Sequence, residues 1–325
     1  MLRDYAGRSL YRIGLAGAGR WGENLIRNFV QLGALEGVFD HNPQALARVS
    51  HHFPTLKTFG DYTALLGDPE IVGIVISTPA RTHFELAEKA LRAGKHVYVE
   101  KPLARSPDEA VKLIELSKEL NLTLMVGHLL LYHPAVNKLK ELIEQNELGD
   151  IRFLNSDRRN YQKQPTDSNV IWDLAPHDVS MISYLIGNES VELVQANGLS
   201  TTGNDEVIDV AHIDIRFEGG VRAHIHNSWI DPQKQNLLTV IGSKKTAVLN
   251  DAHQEQKLQL YTFTEDGQVY IEQPVYSSEE PLRLECQHFL DCLRNDNPPL
   301  SDGIGGYKVV KLLEEADREI RSKLP

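Results

Sequence analysis

The stretch from residue 12 to residue 22, Arg-Ile-Gly-Leu-Ala-Gly-Ala-Gly-Arg-Trp-Gly, constrains the fold more than any other part of the chain. A short apolar run ends in three glycines spaced G-x-G-x-x-G, and a segment of helical periodicity follows at once. Gly17 permits a tight turn, Gly19 lets the backbone approach a pyrophosphate, and Gly22 allows a helix to pack closely on the strand. The helix N-terminus offers unpaired amides and a positive dipole end to the same place. The next apolar run ends on Asp40, 18 residues after Gly22, where a carboxylate can accept from both hydroxyls of an adenosine ribose. The pattern predicts a dinucleotide-binding strand, loop and helix, with Gly17, Gly19, Arg20, Trp21, Gly22 and Asp40 at the cofactor. A carboxylate at position 40 would repel a 2′-phosphate, and His41 and Asn42 bring no fixed cation, so NAD is expected over NADP. Arg48 is the cation that could reach round.

Residues 1–127 continue in the same alternation, the mark of a parallel sheet covered by helices. Strands are expected at 12–16, 35–40, 55–59, 71–77, 96–100 and 123–126, with helices near 20–33, 42–52, 61–67, 82–93 and 106–120. The last helix opens Ser106-Pro107-Asp108-Glu109, a hydroxyl cap followed by proline and an acidic first turn. After Gly127 the rhythm changes. A helix at 134–146, an extended segment at 151–161 and a helix starting at Pro176 precede seven β-patterned runs between 191 and 276. Helices at 281–295 and 303–322 close the chain. The expected fold class is α/β: a Rossmann doubly wound parallel sheet in 1–127, then an α+β domain in 128–325 with a mostly antiparallel sheet. Residues 1–10 precede the first strand and would be a flexible arm or an interface element.

Composition narrows the partners. The chain has 325 residues with 45 Asp plus Glu against 34 Lys plus Arg, a formal charge of −11 that repels phosphate backbones and anionic membrane surfaces. No nucleic-acid or membrane partner is expected. Cys286 and Cys292, the two cysteines, lie six apart in an expected helix, on different faces and beyond disulfide reach. With no apolar run approaching the ~18 residues of a membrane helix and no uninterrupted signal core, the chain reads as a soluble cytoplasmic protein.

In open α/β sheets ligands bind beyond the carboxyl ends of the strands. Past the expected fourth strand come Ser77, Thr78, Pro79 and, one turn on, His83; past the fifth Glu100, Lys101 and Pro102; past the sixth Gly127 and His128. The run from Ser77 to Leu103, STPARTHFELAEKALRAGKHVYVEKPL, resembles the glucose-fructose oxidoreductase and inositol dehydrogenase family (Gfo/Idh/MocA), matching its TP, downstream His and GKHVxxEKP segments in order. Together with the glycine loop and Glu147-Leu148-Gly149-Asp150-Ile151, the resemblance covers most of the chain. It implies a second domain whose large open sheet mediates homodimers or homotetramers. It also implies Glu100 near the nicotinamide ribose, Lys101 at the reacting hydroxyl and Pro102 fixing the turn.

The family's DxxxH signature is matched by Asp173 and His177. Oxidising a secondary alcohol requires a hydride acceptor and a group to take the hydroxyl proton, and a neutral imidazole suits the second task. The expected catalytic set is therefore His177 as general base, Lys101 as hydrogen-bonding partner of the alkoxide and Asp173 as orienter. A helix beginning at Pro176 would place His177 on its first turn, where the dipole disfavours imidazolium.

The resemblance implies a polyhydroxylated substrate. The segments 127–136, 156–160 and 172–178 look most like the bacterial branch acting at C3 of UDP-sugars, UDP-N-acetylglucosamine or its uronate, whose products feed lipopolysaccharide and polysaccharide building blocks. Tyr132, Arg158, Asn160 and Trp172 are the candidate substrate contacts; Arg158 and Asn160 share one face of an extended strand. Alternatives are an inositol or free-sugar dehydrogenase and, from another class, a non-catalytic NAD-sensing regulator. His212, His224 and His226 could mimic a metal site, but no carboxylate or cysteine stands at ligand spacing, and no metal is expected.

Overall fold

The computed structural model describes residues 11–161, 168–187, 189–201, 207–253 and 256–323. Residues 1–10, the expected arm or interface element, lie outside them. The chain divides into two compact units, the first running through residue 129 and taking in 280–310, the second comprising 130–279 and 311 onward.

Unit 1 alternates β1 (Arg12–Ala16), α1 (Arg20–Gln31), β2 (Leu35–Phe39), α2 (Pro43–His52), β3 (Lys57–Phe59), α3 (Tyr62–Leu66), β4 (Ile71–Ile76), α4 (His83–Arg92), β5 (His96–Glu100), α5 (Pro107–Glu119) and β6 (Leu124–Gly127). All six strands are parallel, in the order β3-β2-β1-β4-β5-β6. That is the Rossmann order, and its reversal point lies between β1 and β4. Ile13, Leu15, Ile74, Val75 and Ile76 have no exposed surface, as strands covered on both faces require. Helix starts follow the sequence signals: the Asn42 side chain accepts from Gln44 N–H at 3.0 Å, and Ser106 Oγ from Glu109 N–H at 3.2 Å.

Unit 2 opens with α6 (Pro134–Glu144), β7 (Ile151–Tyr161) and α7 (Val170–Leu185). It continues through β8 (Val191–Leu199), β9 (Val210–Phe217), β10 (Arg222–Ser228), β11 (Ile230–Gly242), β12 (Thr246–Asn250), β13 (Leu258–Phe263) and β14 (Val269–Glu272). These eight strands form one sheet, β14-β13-β12-β11-β7-β10-β9-β8, antiparallel except where β7 meets β10. Alternate residues of β9, Ala211, Ile213, Ile215 and Phe217, are buried. On the opposite face Asp157, His226 and His212 stand side by side across three strands.

The chain then returns to unit 1 with α8 (Pro281–Asn295), and the dividing line falls within the last helix, α9 (Gly303–Arg321). Its apolar face explains where α8 goes. Phe289 meets the Tyr98 ring edge-on at 5.7 Å, and Arg27 of α1 pairs with Glu280 just before the helix. Cys286 and Cys292 are both free thiols buried in this helix. Among the described residues no helix is long and apolar enough to cross a membrane.

The start of α7 departs from expectation. The helix expected to begin at Pro176 begins six residues earlier, capped by Asn169, whose side chain accepts from Ile171 N–H at 3.1 Å and Trp172 N–H at 3.2 Å. Pro176 lies inside it, and His177 is the eighth of its sixteen residues. The dipole effect is confined to the first turn, so it does not act on His177.

Candidate active site

At the reversal point of the unit 1 sheet a cleft of about 440 Å³ opens, bordered by Gly17, Gly19, Asp40, Ser77, Thr78 and Pro79. Each glycine does what its position demands. Gly17 has φ +103°, and a Cβ there would lie 2.6 Å from Ser77 O; at Gly22 a Cβ would come within 1.9 Å of Gly17 O. A Cβ on Gly19 would meet nothing within 4 Å, so that position faces open space where a phosphate could approach. The buried Asp40 carboxylate accepts from Ala18 N–H at 2.7 Å and from Asn42 N–H at 2.8 Å, and each oxygen keeps a further lone pair. Ser77 Oγ is buried without a hydrogen-bond partner. An open glycine cradle, an orphaned hydroxyl and a fixed carboxylate at the ribose position fit a dinucleotide. Arg48 also borders the cleft, tied to Glu23 at 3.4 Å, and so does Arg81, which the sequence reading did not single out.

The β5 end is built around Glu100. Trp21 Nε1 donates to it at 2.7 Å, the Tyr98 hydroxyl at 3.3 Å and the Lys101 amide at 3.3 Å. Burial pushes the Glu100 carboxyl above the usual range, against the pull of Trp21 and the Lys101 charge. Trp21 is 41% exposed and Arg20 is exposed beside it. His128 is 2% exposed with neither ring nitrogen partnered, and burial, helped by the Lys101 charge, pushes its pKa down to about 3. It is a neutral imidazole at working pH.

His83, expected at the cofactor, has both ring nitrogens engaged by backbone carbonyls. The ring is 1% exposed, and its nitrogens lie 2.7 Å from Pro102 O and 2.8 Å from Thr78 O. Burial outweighs the two carbonyls and lowers its pKa. His83 therefore ties the loop after β4 to the cis Lys101–Pro102 turn, a supporting part rather than a contact.

Unit 2 carries the other half of the predicted set. Asp173 and His177 stand one turn apart on α7, so they share a face. The indole of the fully buried Trp229 donates to Asp173 Oδ2 at 3.1 Å. Trp172 is half-buried, and Tyr132 is buried at the end of a 3₁₀ turn, Leu129–Tyr132. On β7, Ser156, Arg158 and Asn160 fall on the α7 side, and there Asp178 was missed by sequence reasoning. Its fully buried carboxylate accepts from Ser156 Oγ at 2.9 Å, Arg158 Nε at 3.0 Å and Asn227 Nδ2 at 2.9 Å. Asp178 thus fixes the Arg158 guanidinium through Nε, and Asn160 Oδ1 beyond it is buried without a partner. A carboxylate directly after the histidine of the DxxxH pair was the available signal. On the opposite sheet face the His212 and His226 rings stack at 4.2 Å, with Asp157 and Asp214 on His226 and His224.

Comparison with known proteins places these features. Two family models match: one described as an oxidoreductase family with NAD-binding Rossmann fold, over residues 11–128, and the GFO/IDH/MocA C-terminal domain, over residues 136–248. The chain is 28% identical over 305 residues to UDP-N-acetylglucosamine 3-dehydrogenase of Acidithiobacillus ferrooxidans, covering 92% of this chain and 94% of that protein. A solved structure of that enzyme superimposes with a TM-score of 0.86 over 96% of this chain and 98% of that one. Identity to myo-inositol 2-dehydrogenase of Thermotoga maritima is 26%, over 94% and 96% of the two chains. A levoglucosan dehydrogenase in complex with NADH and levoglucosan shares the fold, with a TM-score of 0.86 over 96% and 97% of the chains at 20% identity.

Proposed function

The chain belongs to the GFO/IDH/MocA family of NAD-binding oxidoreductases, and from that premise we propose that it oxidises the C3 hydroxyl of a UDP-sugar, UDP-N-acetylglucosamine or its uronate, to the 3-keto sugar. The observation that carries the reaction type is the Asp173–His177 pair, one turn apart on α7 with the carboxylate anchored by Trp229. Gly17–Gly22, Asp40 and Ser77 would hold NAD, which would supply the hydride acceptor. His177 takes the hydroxyl proton as the C3 hydrogen departs as hydride, and Asp173 holds the imidazole in orientation. Lys101 donates to the substrate oxygen as negative charge develops there. His128, neutral and unpartnered, is a hydrogen-bonding group for the nicotinamide end.

The UDP-sugar reading is supported by the likeness to the Acidithiobacillus ferrooxidans enzyme, which spans both units. Arg158, aimed by Asp178, suits a diphosphate, with Asn160, Tyr132 and Trp172 as further contacts. The 3-keto product would pass to an aminotransferase in making lipid or polysaccharide building blocks. A second reading, an inositol or free-sugar dehydrogenase, is favoured by the similar likeness to myo-inositol 2-dehydrogenase. The open face of the unit 2 sheet is where a second copy would pack, giving a homodimer or homotetramer.

The test is NADH formation with UDP-N-acetylglucosamine, its uronate, myo-inositol and glucose in parallel, with an aminotransferase and amine donor present to pull an uphill oxidation forward. Turnover confined to the nucleotide sugars supports the proposal, and turnover with myo-inositol or glucose supports the second reading. Binding of NAD with no turnover in any arm would point instead to a redox sensor.

A further inference from the structure

Unit 1 buries a second carboxyl group beside Glu100. Glu285 and Phe289 lie one turn apart on α8, and both are directed at Tyr98: Phe289 packs on its ring, and Glu285 faces its hydroxyl. Tyr98 and Glu285 are 0% exposed and Glu100 is 8% exposed. Two carboxylates in one dry cluster cannot both ionise, because the second charge would face the first without water to screen it. Donors decide which keeps the charge. Glu100 accepts from the Trp21 indole, the Tyr98 hydroxyl and the Lys101 amide. Glu285 has the Tyr98 hydroxyl beside it, but that hydroxyl is turned to Glu100, and neither Glu285 oxygen is in hydrogen-bonding geometry with a donor. An ionised carboxylate without donors is among the costliest groups to bury, whereas a protonated one is itself a donor. Its acceptor is at hand in the Tyr98 oxygen, whose own proton is given to Glu100.

We propose that Glu285 is a positioning residue for the cofactor end of the site: it keeps its proton and donates to Tyr98, which donates to Glu100, so that the three groups hold a single negative charge located on Glu100. The proposal rests on the dehydrogenase reading only for what Glu100 faces, the nicotinamide ribose. The other titratable groups facing the cluster are Lys101 at the end of β5 and the Cys286 thiol on α8, which burial and the two carboxyls keep neutral; the Arg27–Glu280 pair lies beyond that thiol. A hydrogen bond in such a chain is strengthened by its neighbour, so Glu285 stabilises the ionised form of Glu100 from two groups away.

Two measurements test this. Infrared spectra of the cofactor-free protein at pH 8 should contain a protonated-carboxyl C=O band that is absent from Glu285→Gln. Its absence from the wild type overturns the proposal, whatever the substrate proves to be. In NAD titrations against pH, Glu285→Leu should raise the midpoint of the acid-side loss of affinity by about one pH unit, because Glu100 then protonates more readily. Glu285→Gln, which restores a neutral donor, should return it. Should the leucine variant fail to fold, Tyr98→Phe removes the middle of the chain, keeps the Phe289 contact and carries the same expected shift. An unmoved midpoint in the folded variant, or a glutamine variant that rescues nothing, overturns the positioning role. A substrate panel without turnover leaves both measurements readable, so failure of the dehydrogenase reading is distinguishable from failure here.

Discussion

The indole nitrogen of Trp229 donates to the carboxylate of Asp173 at 3.1 Å, one helical turn before His177. A buried indole has one donor and this is where it is spent, so Trp229 fixes the carboxylate proposed to orient the base. Trp229→Phe keeps most of the apolar volume and removes the bond. A hydrogen bond to a charged group contributes roughly 1.5–3 kcal/mol, so kcat should fall by about 10- to 150-fold, with the Kd for NAD unchanged. Steady-state kinetics beside a cofactor titration check it.

Asp178 predicts a loss of stability rather than of chemistry. Its carboxylate answers Ser156, Arg158 and Asn227 with no exposed surface. Asp178→Ala strands the Arg158 guanidinium in a largely buried place, which costs roughly 3–5 kcal/mol. Urea unfolding of unit 2 reports it. Asp178→Asn, which keeps the shape, should remain folded and raise KM for the sugar substrate while leaving that for NAD alone.

The contrast between these two carboxylates shows what a sequence exposes. The glycine loop, Asp40 and the strand ends were legible because local spacing and element order alone place them. The helix carrying Asp173 and His177 is legible as a helix, but Pro176 signals a start that the structure places at the Asn169 cap. Competition between two valid start signals is settled by tertiary packing, here by an Asn169 that also donates to Asp317 at 2.7 Å. Asp178 had one local signal, its place directly after the histidine, and Glu285 had none; the purpose of each is revealed only by the other elements packed against it. The return of 280–310 to unit 1 was hidden likewise, since the helical period of α8 does not say which sheet it covers.

Cofactor preference follows from Asp40. Its charge sits where a 2′-phosphate would lie, while Arg48 and Arg81 border the same cleft. Wild-type protein should bind NAD at least tenfold more tightly than NADP, and Asp40→Ser should narrow or reverse that ratio as the repulsion goes and the arginines remain. Fluorescence titration with NADH and NADPH gives both ratios; a variant with unchanged preference would place the discrimination elsewhere.

His128 gives the protein an acid-sensitive element. Its folded pKa, about 3, lies below the ordinary value of 6.5, so the unfolded chain binds the additional proton. Its contribution is whole above about pH 6.5 and drains as pH falls toward 3, at about 1.4 kcal/mol per unit within that window. His128→Asn should flatten the decline of unfolding free energy between pH 6 and pH 4 by about that slope. Parallel denaturant curves at those two pH values measure the difference.

The central claim is that His177 removes the proton as hydride leaves. Single-turnover NADH appearance in His177→Ala, saturated with NAD and substrate after cofactor binding has been shown intact, tests it most directly. The rate should fall by about 10²–10⁴-fold, the contribution expected of a positioned general base. A rate near that of the wild type, with NAD fully bound, would contradict it.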